Sequence, residues 1–130
     1  MEKKTEIRLY ESVHAGFPSP AEDLPGTAID INRIVVKNPA STFFARVSGD
    51  SMTGDGIDDG DILVIDKSEE PHDGAVAVCA IDGEFTVKRL KINGNRIILQ
   101  PANPKYPPLE IAETDYFIIW GVVRYVIKKL

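Results

Sequence analysis

The sequence is poor in the residues that thiol and histidine chemistry require. A single cysteine, Cys79, occurs among 130 residues, so no intrachain disulfide can form. Cys79 lies in an apolar run from 75 to 81, where a small buried core residue is expected. A cysteine nucleophile would need a histidine partner and an electropositive, partly exposed site. The two histidines, His14 and His72, lie in no catalytic motif, which disfavours both a cysteine nucleophile and a Ser–His–Asp triad.

Positive charge and long apolar stretches are also scarce. The net charge is -5 and the pI is near 5.0, which argues against a large duplex-DNA footprint because phosphate contacts need a basic face. We therefore expect no direct sequence-specific DNA binding, although the charge leaves room for a small local basic patch. No run is long and apolar enough to cross a bilayer, and the N-terminus carries no secretory segment. We therefore expect a cytoplasmic protein without membrane attachment.

Cofactor motifs are missing as well. The sequence has no Walker-type loop, no Rossmann glycine set and no zinc-ligand spacing. A group of aspartates surrounds one serine without the spacing of a Ca²⁺ loop: Asp50, Asp55, Asp58, Asp59 and Asp61. The sequence predicts no cofactor and no metal, and these carboxylates are interpreted as turn residues.

The chain divides by composition into an arm, 1–28, and a body, 29–130. Phe17-Pro18-Ser19-Pro20 and Leu24-Pro25-Gly26 interrupt helices and strands, so the arm is predicted to be extended and poorly packed. At the start of the body, Asp30 to Lys37 has the apolar spacing of a short helix.

From residue 41 onward the pattern is that of β-structure. Runs rich in Val, Ile and aromatic residues predict six strands, over 42–47, 61–66, 74–81, 84–91, 95–100 and 116–127. Asp82-Gly83 and Asn93-Gly94 each predict a hairpin with a type I′ turn, and four prolines make 101–108 a loop. The predicted fold is mainly β, a bent antiparallel sheet or partial barrel with an extended N-terminal arm.

One serine occupies a position that suits a nucleophile. In Val47-Ser48-Gly49-Asp50-Ser51-Met52 a predicted strand ends, a glycine permits a sharp turn, and Ser51 follows. A serine on a tight turn exposes its hydroxyl, and neighbouring backbone N–H groups can converge on an oxyanion. Considered alone the pattern is weak evidence, because serine is common in Gly/Asp turns.

A lysine on a predicted strand can supply the matching base. By alternation Glu84, Thr86 and Lys88 share one face of the strand. A strand lysine is ordinarily solvated, but burial would lower its pKa from about 10.4 towards neutrality. A Ser–Lys pair needs no histidine.

A third feature lies in the arm, where Ala15 and Gly16 flank one peptide bond just before Phe17-Pro18-Ser19-Pro20. Small residues in an extended segment leave room at a scissile carbonyl. An ordinary flexible tail is the other interpretation.

Together the three features resemble the UmuD/LexA family of self-cleaving serine/lysine proteases. Ser48-Gly49-Asp50-Ser51-Met52 resembles the family's nucleophile motif, 84–90 its lysine strand, and 15–21 the UmuD cleavage segment. The runs 56–61 and 121–123 look like the same family. Ala15 replaces a Cys known from UmuD, but LexA-type proteins have Ala-Gly there, so cleavage is not put in doubt.

The resemblance implies a role for each matched residue. Ser51 would attack the carbonyl carbon of Ala15, and neutral Lys88 would move the proton to the amine of Gly16. The backbone N–H groups of Asp50 and Ser51 would form the oxyanion hole. Met52 would line the cleft.

The resemblance also implies a UmuD-type function in the DNA-damage (SOS) response. A RecA filament would stimulate cleavage, and the product 16–130, as part of a homodimer, would join a UmuC-like Y-family polymerase subunit in error-prone translesion synthesis. The alternative is a LexA- or phage-repressor-like transcription regulator, for whose DNA-binding module residues 1–15 are too few. Two further alternatives are a signal-peptidase-like enzyme and a non-enzymatic β-domain. The first would require a membrane anchor.

Overall fold

The computed structural model describes residues 6–10, 13 and 26–130. Ala15, Gly16 and most of the predicted arm therefore lie outside the described residues. The chain separates into two compact units, 1–35 and 36–130, and each is described by itself.

The described part of the first unit holds a small two-stranded antiparallel sheet and one helical turn. Its elements are β1 (Ile7–Leu9), β2 (Thr27–Ile29) and α1 (Ile31–Val35). Ile7 lies opposite Ile29 in the β1–β2 ladder. Asp30 caps the helix, because its Oδ1 accepts a hydrogen bond from the N–H of Asn32 at 3.0 Å. Sequence analysis predicted the helix but not the two strands, which at three residues each are too short for a period-two signal.

The second unit is a seven-stranded antiparallel sheet that does not close into a barrel. Its strands are β3 (Thr42–Arg46), β4 (Ile62–Asp66), β5 (Val76–Ile81), β6 (Glu84–Asn93), β7 (Arg96–Gln100), β8 (Leu109–Glu110) and β9 (Phe117–Ile127). Two 3₁₀ turns, Pro39–Ser41 and Thr53–Asp55, precede and follow β3. The strand order is β3-β4-β9-β5-β6-β7-β8. The predicted mainly antiparallel β-fold is confirmed.

The C-terminal strand β9 bends the sheet. The pairing register shifts against β4 between Val64 and Ile65, and against β5 between Val78 and Cys79. Gly121 lies at this irregularity, where an added Cβ would come within 2.6 Å of the Ile65 side chain. Such bulges increase strand twist and curvature, and the sheet accordingly packs two separate apolar clusters.

The two clusters lie on different parts of the sheet. The first is built from Val47, Met52, Ile57, Leu63, Ile65 and Val78. The second is built from Ala75, Ala77, Cys79, Leu90, Leu99 and Val122. The predicted burial of Cys79 is confirmed, since its exposed fraction is 0%.

The two predicted hairpin turns had different outcomes. Asp82 and Gly83 both have positive φ, 49° and 85°, as a type I′ turn requires. The second prediction was wrong in register, because Asn93 pairs with Arg96 and the turn is therefore Gly94-Asn95. Of the non-glycine residues that the structure describes, Asp82 alone has positive φ, while Gly94 has φ 59°. Positive φ at the first turn position only is the type II′ pattern.

Candidate active site

Ser51 lies on the turn between β3 and the 3₁₀ turn at Thr53–Asp55. Gly49 adopts a φ of 101°, in the region that favours glycine. Its N–H donates to Oδ1 of Asp59 at 2.8 Å. Val47 is tied to the same neighbouring segment by an N–H bond to the carbonyl of Asp61 at 2.8 Å. These bonds hold the chain immediately before Ser51 in one path.

Met52, the residue after Ser51, anchors the same turn by packing its side chain into the core. It is only 1% exposed and packs in the first apolar cluster, because a long apolar side chain gains free energy on leaving water. Its role in lining the cleft stays a prediction. Its carbonyl accepts hydrogen bonds from the N–H groups of Asp55 and Ile57.

Lys88 reaches Ser51 from strand β6. Its Nζ lies 2.9 Å from Oγ of Ser51, 2.6 Å from Oγ1 of Thr86 and 3.0 Å from the carbonyl oxygen of Val87. Thr86 and Lys88 are two residues apart on one strand, so their side chains share a face. The structure therefore brings together the two residues that sequence analysis proposed as a pair.

Burial governs the electrostatics of Lys88. Removal of the ammonium from water lowers the pKa of Lys88 below its ordinary value. Burial likewise raises the pKa of the Cys79 thiol to about 11, so this sulfur carries no charge near neutral pH. Among the ion pairs of the described residues, none includes Lys88. The partly buried ammonium therefore has hydrogen-bond acceptors there but no carboxylate partner.

The three polar neighbours of Lys88 suit a neutral amine. A neutral amine has two N–H donors and one lone pair, whereas an ammonium has three donors. The carbonyl of Val87 can only accept, and the hydroxyl of Thr86 can accept the second N–H. The lone pair is then free to accept the hydroxyl proton of Ser51. The arrangement can activate a serine hydroxyl without histidine or metal ligands.

Two depressions adjoin the pair and share Phe85 and Thr86. One, of about 240 Å³, is lined by Ala45, Arg46, Val47, Ser48, Ser51, Leu63, Val78, Phe85, Thr86 and Val87. The other, of about 550 Å³, is lined by Ile81, Asp82, Glu84, Phe85, Thr86, Lys88, Leu99, Pro107 and Leu109. The first depression opens onto Ser51 and the second onto Lys88.

The backbone around Ser51 is held through its carbonyls. The carbonyl of Asp50 accepts from Nδ2 of Asn103 at 2.8 Å, and that of Ser51 accepts from the N–H of Ala102 at 2.8 Å. Within the described residues, the N–H groups of Asp50 and Ser51 donate no hydrogen bond. Two unpaired donors on successive residues can receive an oxyanion.

Sequence analysis placed Thr86 on the same strand face as Lys88 but gave it no role, and it missed Asn103 and Tyr106. Asn103 and Tyr106 contact Asp50 across 53 and 56 residues of sequence. Only the fold creates those contacts.

Other possible chemistry finds little support in the described part of the chain. His14 lies outside the described residues, and His72 is bonded through Nδ1 to the neighbouring carbonyl of Asp73. No group of three or more His, Cys, Asp or Glu side chains there could hold a metal ion. None of the described helices is long and apolar enough to span a membrane.

Comparison with known proteins gives consistent matches. A family described as Peptidase S24-like matches residues 8–124. Protein SamA of Salmonella typhimurium strain LT2 is 46% identical over 127 residues, 98% of this chain and 88% of SamA. Protein ImpA of Escherichia coli is 43% identical over 115 residues, 88% of this chain and 78% of ImpA. The LexA repressor of Syntrophotalea carbinolica is 40% identical over 127 residues, 98% of this chain and 62% of the repressor.

Proposed function

This chain belongs to the peptidase S24-like family, and we propose that it cuts its own Ala15–Gly16 bond with Ser51 as nucleophile and Lys88 as base. The family resemblance found in the sequence motifs is confirmed, and the chain is a UmuD-type protein of the SOS response. The observation that carries the proposal is the 2.9 Å contact between Nζ of Lys88 and Oγ of Ser51. The pKa of this half-buried lysine is lowered by desolvation, which supports its role as a base.

The first half of the reaction makes an ester. The lone pair of Lys88 takes the hydroxyl proton of Ser51 while Oγ forms a bond to the carbonyl carbon of Ala15. The carbonyl π pair moves onto oxygen and gives a tetrahedral oxyanion. When that pair returns, the bond from the carbonyl carbon to the nitrogen of Gly16 breaks, and the Lys88 ammonium protonates the departing amine.

The second half returns the enzyme to its starting state. Lys88, neutral again, takes a proton from water as the water oxygen bonds to the acyl carbon. Collapse of this second oxyanion releases Oγ of Ser51, which recovers its proton from Lys88. The products are residues 1–15, ending in a carboxyl group, and residues 16–130, beginning with an amine.

Backbone donors would stabilise both oxyanions. We assign this role to the N–H groups of Asp50 and Ser51, which have no acceptor among the described residues. Loss of a single oxyanion-hole donor costs on the order of 10²–10³ in rate in other serine proteases. A glycine at φ 101° just before them sets the turn that exposes both donors.

The test compares two active-site variants with one matched control. Ser51→Ala and Lys88→Met should each abolish self-cleavage while retaining the thermal unfolding transition. Lys91→Met is the control, because Lys91 is an exposed lysine on the same strand and its loss should leave the rate unchanged. Cleavage by Ser51→Ala at the wild-type rate would refute the proposal.

We further propose a homodimer whose self-cleavage is stimulated by a RecA filament and which, once shortened, binds a UmuC-like Y-family polymerase. Family membership supports these partners. The dimer is supported by large apolar side chains exposed along β9: Ile118, Trp120, Tyr125, Val126 and Ile127.

Subunit mixing tests the dimer and shows which chain is cut. Ser51→Ala protein with an intact arm is mixed with active protein whose own Ala15–Gly16 bond is blocked. Cleavage of the Ser51→Ala chain would establish attack between subunits. Sedimentation should show a dimer before and after loss of 1–15, and a monomer at all concentrations would refute it.

A further inference from the structure

The loop that follows β7, residues 101–108, is hydrogen-bonded to the turn that carries Ser51. We propose that Asn103 and Tyr106 of this loop are positioning residues for self-cleavage, holding the Asp50–Ser51 peptide so that its N–H faces the oxyanion. The inference rests on the proposed function, and it adds two residues that touch neither reacting atom. Four prolines restrict the loop backbone: Pro101, Pro104, Pro107 and Pro108.

Asn103 is fixed at both ends of its amide. Its Nδ2 donates to the carbonyl of Asp50 at 2.8 Å, and its Oδ1 accepts from the N–H of Lys105 at 3.0 Å. Because one end donates and the other accepts, the amide has a single orientation that satisfies both bonds. The side chain is therefore a rigid link from the loop to the carbonyl of Asp50.

That link sets the direction of the Ser51 N–H. The carbonyl of Asp50 and the N–H of Ser51 belong to one planar trans peptide, in which they point in opposite directions. With the carbonyl held towards Asn103, the N–H of Ser51 must point away from the loop. The next peptide is held in the same way, since the carbonyl of Ser51 accepts from the N–H of Ala102 at 2.8 Å. The nucleophile is thus restrained on both sides of its Cα.

Tyr106 restrains the side chain of the same aspartate. Its hydroxyl donates a short hydrogen bond to Oδ1 of Asp50, and the carboxylate raises the pKa of the Tyr106 phenol. Charge-assisted bonds of this kind are among the stronger side-chain hydrogen bonds. Asn103 and Tyr106 together hold the backbone and the side chain of Asp50, the residue just before the nucleophile.

The loop also rests directly on the 3₁₀ turn that follows Ser51. The N–H of Gly54 donates to the carbonyl of Ala102 at 2.7 Å, and a Cβ at position 54 would approach that oxygen to 2.5 Å. Gly54→Ala would therefore force the loop away from the nucleophile turn without touching Asn103, Tyr106 or Ser51.

The experiment measures self-cleavage against pH for Asn103→Ala, Tyr106→Phe and Gly54→Ala. Lys105→Ala is the control, because Lys105 is an exposed residue of the same loop. We expect the alkaline plateau rate to fall at least about tenfold in Asn103→Ala and about threefold in Tyr106→Phe, since misdirected oxyanion donors lose most of their effect. The plateau rate of Gly54→Ala should fall by as much as that of Asn103→Ala.

The pH midpoint separates positioning from general loosening. If the variants merely opened the site, water would reach Lys88 and the midpoint would move towards that of free lysine. Positioning predicts a lower plateau with an unchanged midpoint. A wild-type plateau in both Asn103→Ala and Tyr106→Phe, or a loss explained by a shifted midpoint, would overturn the inference.

The outcomes for Ser51→Ala and for the loop variants separate failure of the proposed function from failure of the positioning inference. If Asn103→Ala does not fold, Tyr106→Phe decides the matter, because it removes one hydroxyl from a half-exposed ring. If Ser51→Ala still cleaves, the proposed function fails. If Ser51→Ala is inactive but the loop variants cleave at the wild-type plateau rate, only the positioning inference fails.

Discussion

The amine of Lys88 lies 2.9 Å from the hydroxyl of Ser51, although the two residues are 37 positions apart in sequence. The contact joins strand β6 to the turn after β3, which are not neighbours in the sheet. Partial burial lowers the pKa of Lys88 and so favours the neutral amine, the form that can accept the proton of Ser51.

The rate of self-cleavage should rise with pH and then level off. Only neutral Lys88 can accept the proton of Ser51, so the rate follows the deprotonated fraction. Because burial lowers the pKa of Lys88, the midpoint should lie below the value of about 10.4 for free lysine. Gel densitometry over a buffer series would measure it. A rate independent of pH from neutral to alkaline would argue against lysine as the base.

Lys88→Met should raise thermal stability at neutral pH. A lysine with a lowered folded pKa is unfavourable to folding, because the unfolded chain binds the proton more tightly. This cost in folding free energy is fully present below the pKa of Lys88 in the folded protein. It disappears as the pH rises towards about 10.4, the pKa of lysine in the unfolded chain. Methionine fills a similar volume without charge, so we expect Tm to rise at pH 7.

The pH dependence provides the control for that measurement. The gain in Tm should shrink as the pH is raised above the folded pKa of Lys88. Lys91→Met, at an exposed position of the same strand, should leave Tm unchanged throughout. A lower Tm for Lys88→Met at pH 7 would show that the lost hydrogen bonds outweigh the buried charge.

Thr86→Val should slow cleavage and lower the pH midpoint. Valine has nearly the shape of threonine but cannot accept the 2.6 Å bond from Nζ of Lys88. The amine loses one restraint, so we expect the plateau rate to fall about tenfold. The lost hydrogen bond stabilises the charged ammonium more than the neutral amine, so its removal lowers the pKa of Lys88 further. An unchanged plateau and midpoint would show that Thr86 is not needed.

Asp66→Asn should destabilise the second unit. The Asp66 carboxylate is 3% exposed and accepts bonds from the hydroxyls of Ser41 and Ser68, the N–H of Ser68 and the amide of Asn38. The NH₂ group of an asparagine would face some of these hydrogen-bond donors and could not accept from them, so bonds would be lost. We therefore expect Tm at pH 7 to fall by at least about 4 °C.

The same bonds hold the pKa of Asp66 below its ordinary value, with the Ser68 hydroxyl contributing most. A lowered folded pKa stabilises the protein above the unfolded value of about 3.9. The stabilisation is lost as pH falls from there through the folded pKa. The Tm difference between wild type and Asp66→Asn should therefore be constant at neutral pH and narrow below about pH 4. A difference that widens in acid would contradict this sign.

The sequence predicted the parts of the site that depend on local pattern. A glycine turn after a strand made Ser51 a candidate and strand alternation placed Lys88 and Thr86 on one face, while the resemblance to the UmuD/LexA family selected Ser51 and Lys88 as the pair. Runs rich in Val, Ile and aromatic residues also predicted the six main strands to within about two residues. These features depend on near neighbours in the chain, which period and turn chemistry describe well.

Features that depend on long-range packing were not predictable. Met52 faces the core because cluster partners from β4 and β5 surround it, and no local pattern indicates them. The bonds from Asn103 and Tyr106 to Asp50 arise because the 101–108 loop folds over the nucleophile turn. The Asn93-Gly94 dipeptide predicted a turn one residue too early, since cross-strand pairing fixed the register instead.

The mass of the incubated protein tests the central claim most directly. Wild type is held at alkaline pH, and its intact mass is compared with that of Ser51→Ala under the same conditions. The account predicts two wild-type fragments, residues 1–15 and residues 16–130 with Gly16 as the new N-terminus, and a single uncut mass for Ser51→Ala. A cut at another bond, or equal cleavage of both proteins, would contradict it.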